Sequence, residues 1–295
     1  MRIAIMGTGA TGSFYGAKLA RAGYDVTFIA RGAHLKVLQA HGLKVTGQEE
    51  FSVPQVRAVA SPTEAGTMDV ILFCVKAYDT DEAARLIVPM IGPDTMVVPI
   101  QNGVNSYHEI GDVVGLDHVV GGICRISVEI PVPGTVQLNS PFKEILFGEM
   151  DGSASARTAA FAAVLEKAEI PHRVSAHVQV ELWKKFIFIT AMSALTGATR
   201  SPIGPIRECP ETFALYGRVA AEVVKLDSSI PDELIAQARA FAAGMKASLL
   251  VDLERGRRTE VETLQGTVVV LGKKHGIPTP VTEVLYALIK LHQPK

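Results

Sequence analysis

The fold is decided by the stretch Arg2-Ile3-Ala4-Ile5-Met6-Gly7-Thr8-Gly9-Ala10-Thr11-Gly12. Its first five residues form a short apolar run suited to a strand, and residues 13–22 suit a helix that stops at Gly23. A G-x-G-x-x-G motif between a strand and a helix is typical of dinucleotide binding. Gly7 permits the tight turn, Gly9 admits a pyrophosphate and Gly12 allows helix and strand to pack. Because the helix N-terminus also attracts phosphate, we predict a dinucleotide site. An ordinary glycine-rich turn is the alternative.

The next strand, Asp25 to Ala30, indicates which dinucleotide is bound, because it ends at Arg31. Proteins that prefer NAD carry an acid about 20 residues past the motif, where it holds the ribose 2′-hydroxyl. Asp25 is the nearby acid, and it lies at the opposite end of this strand. Arg31 offers a planar, permanently charged guanidinium that suits a 2′-phosphate. The sequence therefore favours NADP(H), with a plain surface arginine as the alternative.

Length and composition narrow the class of protein. A chain of 295 residues exceeds one small core, so two domains are expected, and 48% apolar with 20% charged residues indicates a soluble globular protein. The net charge of −1 argues against a nucleic-acid partner. The longest uncharged apolar stretch, Phe186 to Thr199, is too short to span a membrane. Cys74, Cys124 and Cys209 lack metal-binding spacing, and the first two lie in strand-like runs, so we expect thiols, no metal and a cytoplasmic location.

Further apolar runs predict more strands, over Val53–Val59, Met68–Val75, Met96–Ile100 and Val119–Ser127. Two of these runs end at polar residues, Lys76 and Asn102. In an open α/β sheet, ligands bind beyond the carboxyl ends of the strands, so both residues are placed to line a site. A solvated lysine and a simple Asn-Gly turn are the alternatives. Alternating patterns at Gly134–Leu138 and Lys143–Gly148 predict an antiparallel pair that closes the sheet.

From His177 onward the strand-like runs end and long helical patterns follow. The sequence therefore predicts an α/β Rossmann domain, residues 1–175, followed by an all-α domain, residues 176–295. Helices are expected over residues 177–197, 210–228, 231–254 and 259–276, and Pro278 and Pro280 separate the last of these from a final helix that ends near His292. For the fourth of these, Thr259 and Glu262 have the spacing of a capping box.

The first helix of the predicted helical domain offers a catalytic candidate. At 100° per residue, Lys185 shares a face with Ile189 and Ser193, whereas Lys184 is turned away. A lysine on an otherwise buried face is costly unless it is paired or its pKa falls. A reductase leaves the redox step to the nicotinamide and needs a proton donor for the carbonyl oxygen, which a lysine can supply. The alternative is a lysine that only extends to the surface.

Glu260 is a second candidate, although an acid in the first turn of a helix also stabilises the helix dipole. Ser248 lies in the middle of the predicted helix 231–254 and gives a weaker signal. Sequence physics alone leaves both open.

The chain resembles the 2-dehydropantoate 2-reductase (ketopantoate reductase) family over nearly its whole length. The resemblance is carried, in the right order, by Gly7 to Gly12, Arg31, Lys76, Gln101-Asn102-Gly103, Trp183-Lys184-Lys185-Phe186 and the block from Lys246-Ala247-Ser248 to Arg257-Arg258-Thr259-Glu260. It implies NADPH-dependent reduction of a 2-oxo acid, with ketopantoate to pantoate in pantothenate synthesis as the type reaction. It also implies that Lys185 is the general acid, that Glu260 binds substrate, that Asn102 and Ser248 contact substrate, and that Lys76 serves the cofactor.

One departure from the family pattern concerns the face of Lys185. Four and eight residues after this lysine the family has asparagines, and here those positions are Ile189 and Ser193. Both would line a substrate pocket that is more apolar than in the type enzyme, so a different, more apolar 2-oxo acid is one alternative. A non-catalytic NADP-binding sensor is another, but a sensor needs neither Lys185 nor Glu260. No helix is apolar enough all round to force association, and a homodimer stays open.

Overall fold

The computed structural model describes residues 1–226, 239 and 242–294. The chain divides by its contacts into two compact units. The sheet unit comprises Met1–Gln101 and Asn105–Gln179, and the helical unit comprises Asn102–Val104 and Val180–Lys295. The sheet unit contains a parallel sheet with helices, and the described residues of the helical unit contain helices and no strands. This arrangement confirms the predicted fold class. The predicted domain boundary near residue 175 stays a prediction.

A five-stranded parallel sheet with the order β5-β2-β1-β6-β7 forms the centre of the sheet unit. Its strands are β1 Arg2–Met6, β2 Asp25–Ile29, β5 Arg57–Val59, β6 Val70–Phe73 and β7 Met96–Pro99. Side chains alternate between its two faces. Ile3 and Ile5 pack into one buried apolar cluster, and Ala4 and Met6 pack into another. Burial on both faces explains why these strands are continuous apolar runs in the sequence.

A second sheet has the order β10-β9-β3-β4, with β8 paired to β9. Its strands are β3 Leu43–Gly47, β4 Phe51–Val53, β8 Gly121–Val132, β9 Thr135–Gly148 and β10 His172–Val174. The single strand predicted over Val53–Val59 is therefore wrong, because β4 and β5 belong to different sheets. Pro54 follows β4 directly, and proline lacks the N–H that a strand would donate.

The predicted antiparallel pair at Gly134–Leu138 and Lys143–Gly148 is also wrong, because both segments belong to the one strand β9, which pairs with β8. The turn-rich residues between them form an irregularity in the ladder rather than a turn. There the hydroxyl of Ser140 accepts from the amide of Ser127 at 2.9 Å and donates to the carbonyl of Phe142 at 2.7 Å. The side chain of Ser140 thus bonds to the backbone of both strands at this irregularity.

Helices flank these sheets in the order expected of a doubly wound fold. They are α1 Ala10–Arg21, α2 Gly32–His41, α3 Thr80–Ile87, α4 Ser106–Val114 and α5 Ala156–Lys167. Phe14 of α1 and Phe161 of α5 lie in the apolar cluster of Ile3 and Ile5, whereas Ile87 of α3 lies in the cluster of Ala4 and Met6. The central sheet is therefore covered on both faces.

The remaining described helices are α6 Val178–Thr199, α7 Ile203–Glu208, α8 Pro210–Val224, α9 Ser248–Glu254, α10 Thr267–His275 and α11 Pro280–Leu291. They belong to the helical unit, except that the first two residues of α6 belong by their contacts to the sheet unit. Much of the helix predicted over residues 231–254 lies outside the described residues. Within them, Ser248 begins α9 instead of lying in mid-helix, which corrects the prediction. Across the described residues, no helix combines the length and the apolar character needed to cross a bilayer.

The capping box predicted at Thr259 is wrong. The amide of Thr259 donates to the side chain of Gln293 at 3.1 Å, and the carboxylate of Glu262 accepts from Tyr286 at 2.6 Å and pairs with Lys290 at 2.9 Å. A π turn, Glu262–Gly266, lies between this segment and α10. The hydroxyl of Thr259 keeps one local bond, because it accepts from the amide of Val261 at 3.3 Å. Contacts with α11 and with Gln293 just beyond it replace the reciprocal bond of the box, a competition that spacing alone does not reveal.

A buried carboxylate joins α8 to α11. Glu222 is 6% exposed and accepts from the amides of Val281 and Thr282, both at 2.9 Å, and from the hydroxyl of Thr282 at 2.6 Å. These are the free N–H groups at the start of α11, where the helix dipole also favours negative charge. Glu222 therefore fixes the packing of two helices in the unit without contributing to the site described below.

Candidate functional site

The glycine loop between β1 and α1 has the geometry that its motif predicts. Gly7 has φ +92°, and a Cβ there would lie 2.7 Å from the amide nitrogen of Val75. A Cβ at Gly12 would lie 2.4 Å from the carbonyl oxygen of Gly7, whereas a Cβ at Gly9 would meet nothing within 4 Å. Gly7 and Gly12 are thus needed for close packing, and Gly9 leaves open space over the N-terminus of α1. Such a loop can hold a pyrophosphate.

Thr8 ties this loop to the end of the neighbouring strand. Its amide and its hydroxyl both donate to the carbonyl of Ile29, at 3.0 and 2.8 Å. Thr8 is 7% exposed, so its polar atoms are satisfied inside the protein. The loop and the carboxyl end of β2 therefore keep a fixed spacing. Ala10 and Thr11 begin α1 and are half-buried.

Arg31 follows β2 and stands immediately before α2, as an exposed side chain. Its guanidinium lies 3.6 Å from the carboxylate of Glu82 on α3. An exposed ion pair of this kind contributes little to stability and exchanges readily for a stronger anion. Arg31 can therefore bind a phosphate group at this edge of the sheet unit.

His34 is a residue that sequence reasoning missed. The amide of Gly134 donates to its Nδ1 at 3.0 Å, so the neutral ring carries its proton on Nε2, which lies 3.1 Å from the hydroxyl of Ser13 on α1. Burial lowers the pKa of His34 below its usual value of 6.5. The neutral ring thus links α1 to α2, the helix that follows Arg31. A histidine in mid-helix gives no local signal for contacts this distant in sequence.

The ends of β6 and β7 are joined by Gln101. Its amide nitrogen donates to the carbonyl of Val75 and to the hydroxyl of Thr80, both at 2.9 Å. Lys76 follows Val75 directly, is half-buried and precedes a short 3-10 turn. The backbone that carries Lys76 is therefore fixed at the carboxyl edge of the sheet, as the strand pattern predicts.

In the helical unit, Asn102 and Glu260 form a polar pair. The amide nitrogen of Asn102 donates to the carboxylate of Glu260 at 3.0 Å, and Glu260 is 4% exposed. Gly103, with φ +100°, makes the turn after Asn102, and a Cβ there would lie 2.8 Å from the methyl group of Thr263. Asn102-Gly103 is thus both a turn and part of a polar site. The sequence had left these as alternatives.

The two adjacent lysines of α6 have different surroundings. Lys184 lies 3.6 Å from the carboxylate of Glu181, one turn earlier on the helix. Lys185 is half-buried, and within residues 1–226 and 242–294 no carboxylate forms an ion pair with it. The two lysines thus differ in their ion pairs as well as in the predicted direction of their side chains.

The remaining predicted site residues differ in exposure. Ile189 is half-buried and Ser248 is exposed at the start of α9. Ser193 is fully buried, and its hydroxyl donates to the carbonyl of Thr190 at 3.2 Å and accepts from Gln265 at 2.8 Å. The structure thus connects Ser193 to a buried network rather than to solvent. No cluster of His, Cys, Asp or Glu suited to a metal ion occurs in the part of the chain that the structure describes.

Comparison with known proteins gives two family matches that together cover most of the chain. Residues 3–152 match the family described as ketopantoate reductase PanE/ApbA, and residues 177–293 match the family of its C-terminal domain. The chain is similar to the 2-dehydropantoate 2-reductase of Mesorhizobium japonicum, with 31% identity over 98% of this chain and 97% of that protein.

Solved structures agree with this match. The PanE/ApbA family ketopantoate reductase from Ralstonia eutropha superposes with a TM-score of 0.91 at 31% identity, over 99% of this chain and 98% of that one. A D-mandelate dehydrogenase solved with NADH and anilino(oxo)acetate superposes with a TM-score of 0.90 at 21% identity, over 99% and 98% of the two chains. At that identity the second likeness shows a shared fold alone.

The neutral His34 ring predicts a pH dependence. Because its pKa is lowered on folding, the unfolded chain binds a proton first as pH falls below about 6.5. The contribution of His34 to the unfolding free energy is therefore fully present above that pH. Below it, this contribution decreases by at most about 1.4 kcal/mol per pH unit. His34→Gln should remove that part of the slope in urea unfolding between pH 8 and 5. Ser13→Ala retains the ring and should keep the slope, and parallel curves for wild type and His34→Gln would contradict the assignment.

The Gly103 turn predicts a steric effect. Gly103→Ala places a Cβ against Thr263 in addition to the strain of positive φ, so it should reduce the unfolding free energy by about 1–3 kcal/mol beyond the backbone effect. Gly115→Ala is the matched control, because its φ is +96° and its Cβ would make an ordinary contact with His118 at 3.5 Å. Urea unfolding of both variants gives the comparison. Equal losses would mean that the Thr263 contact is relieved without cost.

Proposed function

Since this chain belongs to the ketopantoate reductase (PanE/ApbA) family of oxidoreductases, we propose that it reduces a 2-oxo acid to the 2-hydroxy acid with NADPH. The first candidate reaction is 2-dehydropantoate to (R)-pantoate, in pantothenate biosynthesis. The observation that best supports the proposal is the hydrogen bond of Asn102 to the buried Glu260, which combines two residues that the family resemblance assigns to substrate.

The glycine loop and Arg31 fit a dinucleotide. Open space over Gly9 and the N-terminus of α1 suit the pyrophosphate, and the exposed guanidinium of Arg31 suits a 2′-phosphate. Lys76, at the end of β6, adds positive charge on the cofactor side. When bound, the nicotinamide supplies the hydride, so the protein residues need only bind, orient and protonate.

The proposed mechanism assigns one task to each polar residue of the helical unit. Lys185 donates a proton to the carbonyl oxygen of the 2-oxo acid as the oxygen gains negative charge. Glu260 and Asn102 hold the substrate by hydrogen bonds, and their mutual bond fixes both side chains before substrate arrives. Ser248, exposed at the start of α9, provides a further hydroxyl for the substrate. The presence of a proton donor and a buried acceptor favours an enzyme over a sensor.

A second candidate substrate is a more apolar 2-oxo acid. Ile189 stands where the family pattern has an asparagine, and the hydroxyl of Ser193, at the other such position, is bonded to Gln265 and Thr190. A substrate hydroxyl against Ile189 would lose about 1–3 kcal/mol of hydrogen bonding, whereas an alkyl tail would gain about 0.8 kcal/mol per buried methylene. Branched alkyl 2-oxo acids are therefore the natural competitors of ketopantoate.

We expect the enzyme to act in the cytoplasm, where the free thiols Cys74, Cys124 and Cys209 would stay reduced. The proposed binding partner of the enzyme is the small-molecule 2-oxo acid, and this reaction is compatible with a homodimer. The direct test is oxidation of NADPH, followed by absorbance, with ketopantoate and a panel of alkyl 2-oxo acids. Highest kcat/KM with ketopantoate supports the first candidate, and highest kcat/KM with an alkyl acid supports the second. No turnover with any member of the panel would refute the proposal.

Arg31 determines the expected cofactor preference. A charge-assisted contact contributes about 1.5–3 kcal/mol, so NADPH should bind at least about tenfold more tightly than NADH. Arg31→Ala should remove most of that difference in titrations that follow nicotinamide fluorescence. Arg85→Ala, which removes an exposed arginine of α3, should leave the preference unchanged. Equal affinity of the unmutated protein for both cofactors would make Arg31 an ordinary surface residue.

The role proposed for Lys185 predicts a loss of kcat when its side chain is removed. Removal of a general acid typically reduces the rate by about 10²–10⁴-fold, so Lys185→Ala should lose that factor in kcat while its Kd for NADPH changes little. Lys184→Ala removes the neighbouring lysine, which pairs with Glu181, and should lose far less. Steady-state kinetics with the best acid of the panel measures both. Similar activity of the two variants would refute the assignment of the proton donor.

A further inference from the structure

Gln265 lies outside the predicted site, yet it connects the two elements on which that site depends. Its side chain is fully buried, and its amide nitrogen donates to the carbonyl of Thr190 at 2.9 Å and to the hydroxyl of Ser193 at 2.8 Å. Both acceptors belong to α6, the helix of Lys185. Gln265 itself lies five residues after Glu260. One carboxamide therefore joins the segment of Glu260 to the helix of Lys185.

The backbone at Gln265 is unusual. It lies in the π turn Glu262–Gly266, where the amide of Gly266 donates to the carbonyl of Val261 at 2.9 Å. Two residues earlier, the amide of Leu264 donates a hydrogen bond to the carbonyl of Glu260 at 2.9 Å, which is the ordinary four-residue spacing of an α-helix. Single π turns inside helices are rare and occur frequently at functional sites. Here the wide turn begins two residues after Glu260.

The same turn is also held on the side of Asn102. Thr263, within the π turn, occupies the space that a Cβ on Gly103 would need. Asn102 in turn donates to Glu260. The π turn is thus bounded by the Asn102-Gly103 turn at Thr263 and by α6 at Gln265, and both contacts restrict the backbone that carries Glu260.

Stability alone does not explain a glutamine at this position. Its carbonyl oxygen and the hydroxyl of Thr190 are buried and have no hydrogen-bond partner among the described residues. An unpaired buried polar atom costs free energy. The hydroxyl of Ser193 already donates to the carbonyl of Thr190 at 3.2 Å, so loss of the carboxamide would not leave that hydroxyl unpaired. An apolar side chain of the same length would suit the interior at least as well.

We propose that Gln265 is a positioning residue for Glu260, and that it holds the π turn on α6 so that the Glu260 carboxylate keeps a fixed place relative to Lys185. The inference rests on the proposed 2-oxo acid reduction for its kinetic consequences. Gln265 acts through the backbone and does not contact substrate. Its loss should therefore affect the acid and leave the affinity for NADPH unchanged.

The first test is Gln265→Met, which keeps the length of the side chain and removes the carboxamide. kcat/KM for the best 2-oxo acid should fall about 10- to 100-fold, while Kd for NADPH stays within about twofold and the thermal midpoint does not decrease. Glu222→Gln is the structural control, because it weakens the buried contact between α8 and α11 and should lower the midpoint with kcat/KM within about twofold. A lower midpoint for Gln265→Met with unchanged kcat/KM would overturn the proposal.

Two double variants separate positioning from packing. If Gln265 acts through Glu260, then Gln265→Met in a Glu260→Ala background should reduce kcat/KM by less than about twofold further. Gln265→Asn should lose activity because its side chain is one methylene shorter and no longer reaches α6. Adding Ser193→Asn should recover most of that loss, because the longer side chain on α6 can reach the shortened residue 265. Additive losses in the first pair, or a further loss in the second, would overturn the proposal.

Hydrogen exchange separates failure of this inference from failure of the proposed function. If the unmutated protein reduces no acid of the panel, the proposed function fails, but the amides of Val261 to Gly266 should still exchange faster in Gln265→Met than in wild type. Unchanged exchange would overturn the positioning role. If Gln265→Met does not fold, Ser193→Ala removes one acceptor of the same carboxamide and should lower kcat/KM about 3- to 10-fold, and an unchanged value would overturn the role.

Discussion

A carboxylate removed from water is tolerated in a protein only when donors satisfy it, and Asn102 supplies a donor to Glu260. The bond joins residues 158 positions apart in the chain. Because of this and neighbouring contacts, Asn102–Val104 belongs by its contacts to the helical unit, although Gln101 belongs to the sheet unit. Gln101 is itself anchored to Val75 and Thr80. The peptide bond between residues 101 and 102 thus joins two residues that are each fixed within their own unit.

The sequence predicts the elements whose signals are local. The apolar run and the glycine spacing around Gly7 give β1, its turn and α1, and they give the spacing to β2 as well. The strand ends correctly place Lys76 at the carboxyl edge of the sheet. Each of these features depends on residues a few positions apart, so a single sequence contains the necessary information. The roles proposed for Lys185 and Glu260 rest on the family resemblance, because spacing alone leaves them undecided.

Several of the errors arise from hydrogen bonds that local spacing does not reveal. Thr259 and Glu262 have the spacing of a capping box, yet each bonds to residues beyond α10. The interruption at Pro141 resembles a turn, but the hydroxyl of Ser140 bridges the irregularity and β9 continues. Gln265 and His34 were missed because their partners lie 72 to 75 and 21 to 100 positions away. Local propensity carries no trace of such contacts.

The π turn at Glu262–Gly266 has a further consequence, for how variation in this segment is interpreted. A π turn is equivalent to a single-residue insertion that an α-helix has absorbed. Because the extra residue is absorbed locally, removing one residue there would restore ordinary α-helical spacing and change which side chain of the turn faces α6, while the helix after it keeps its orientation. An alignment gap of one position in this segment is therefore a change of architecture rather than of loop length. Libraries built from substitutions alone never sample that change, and libraries that include single-codon deletions do.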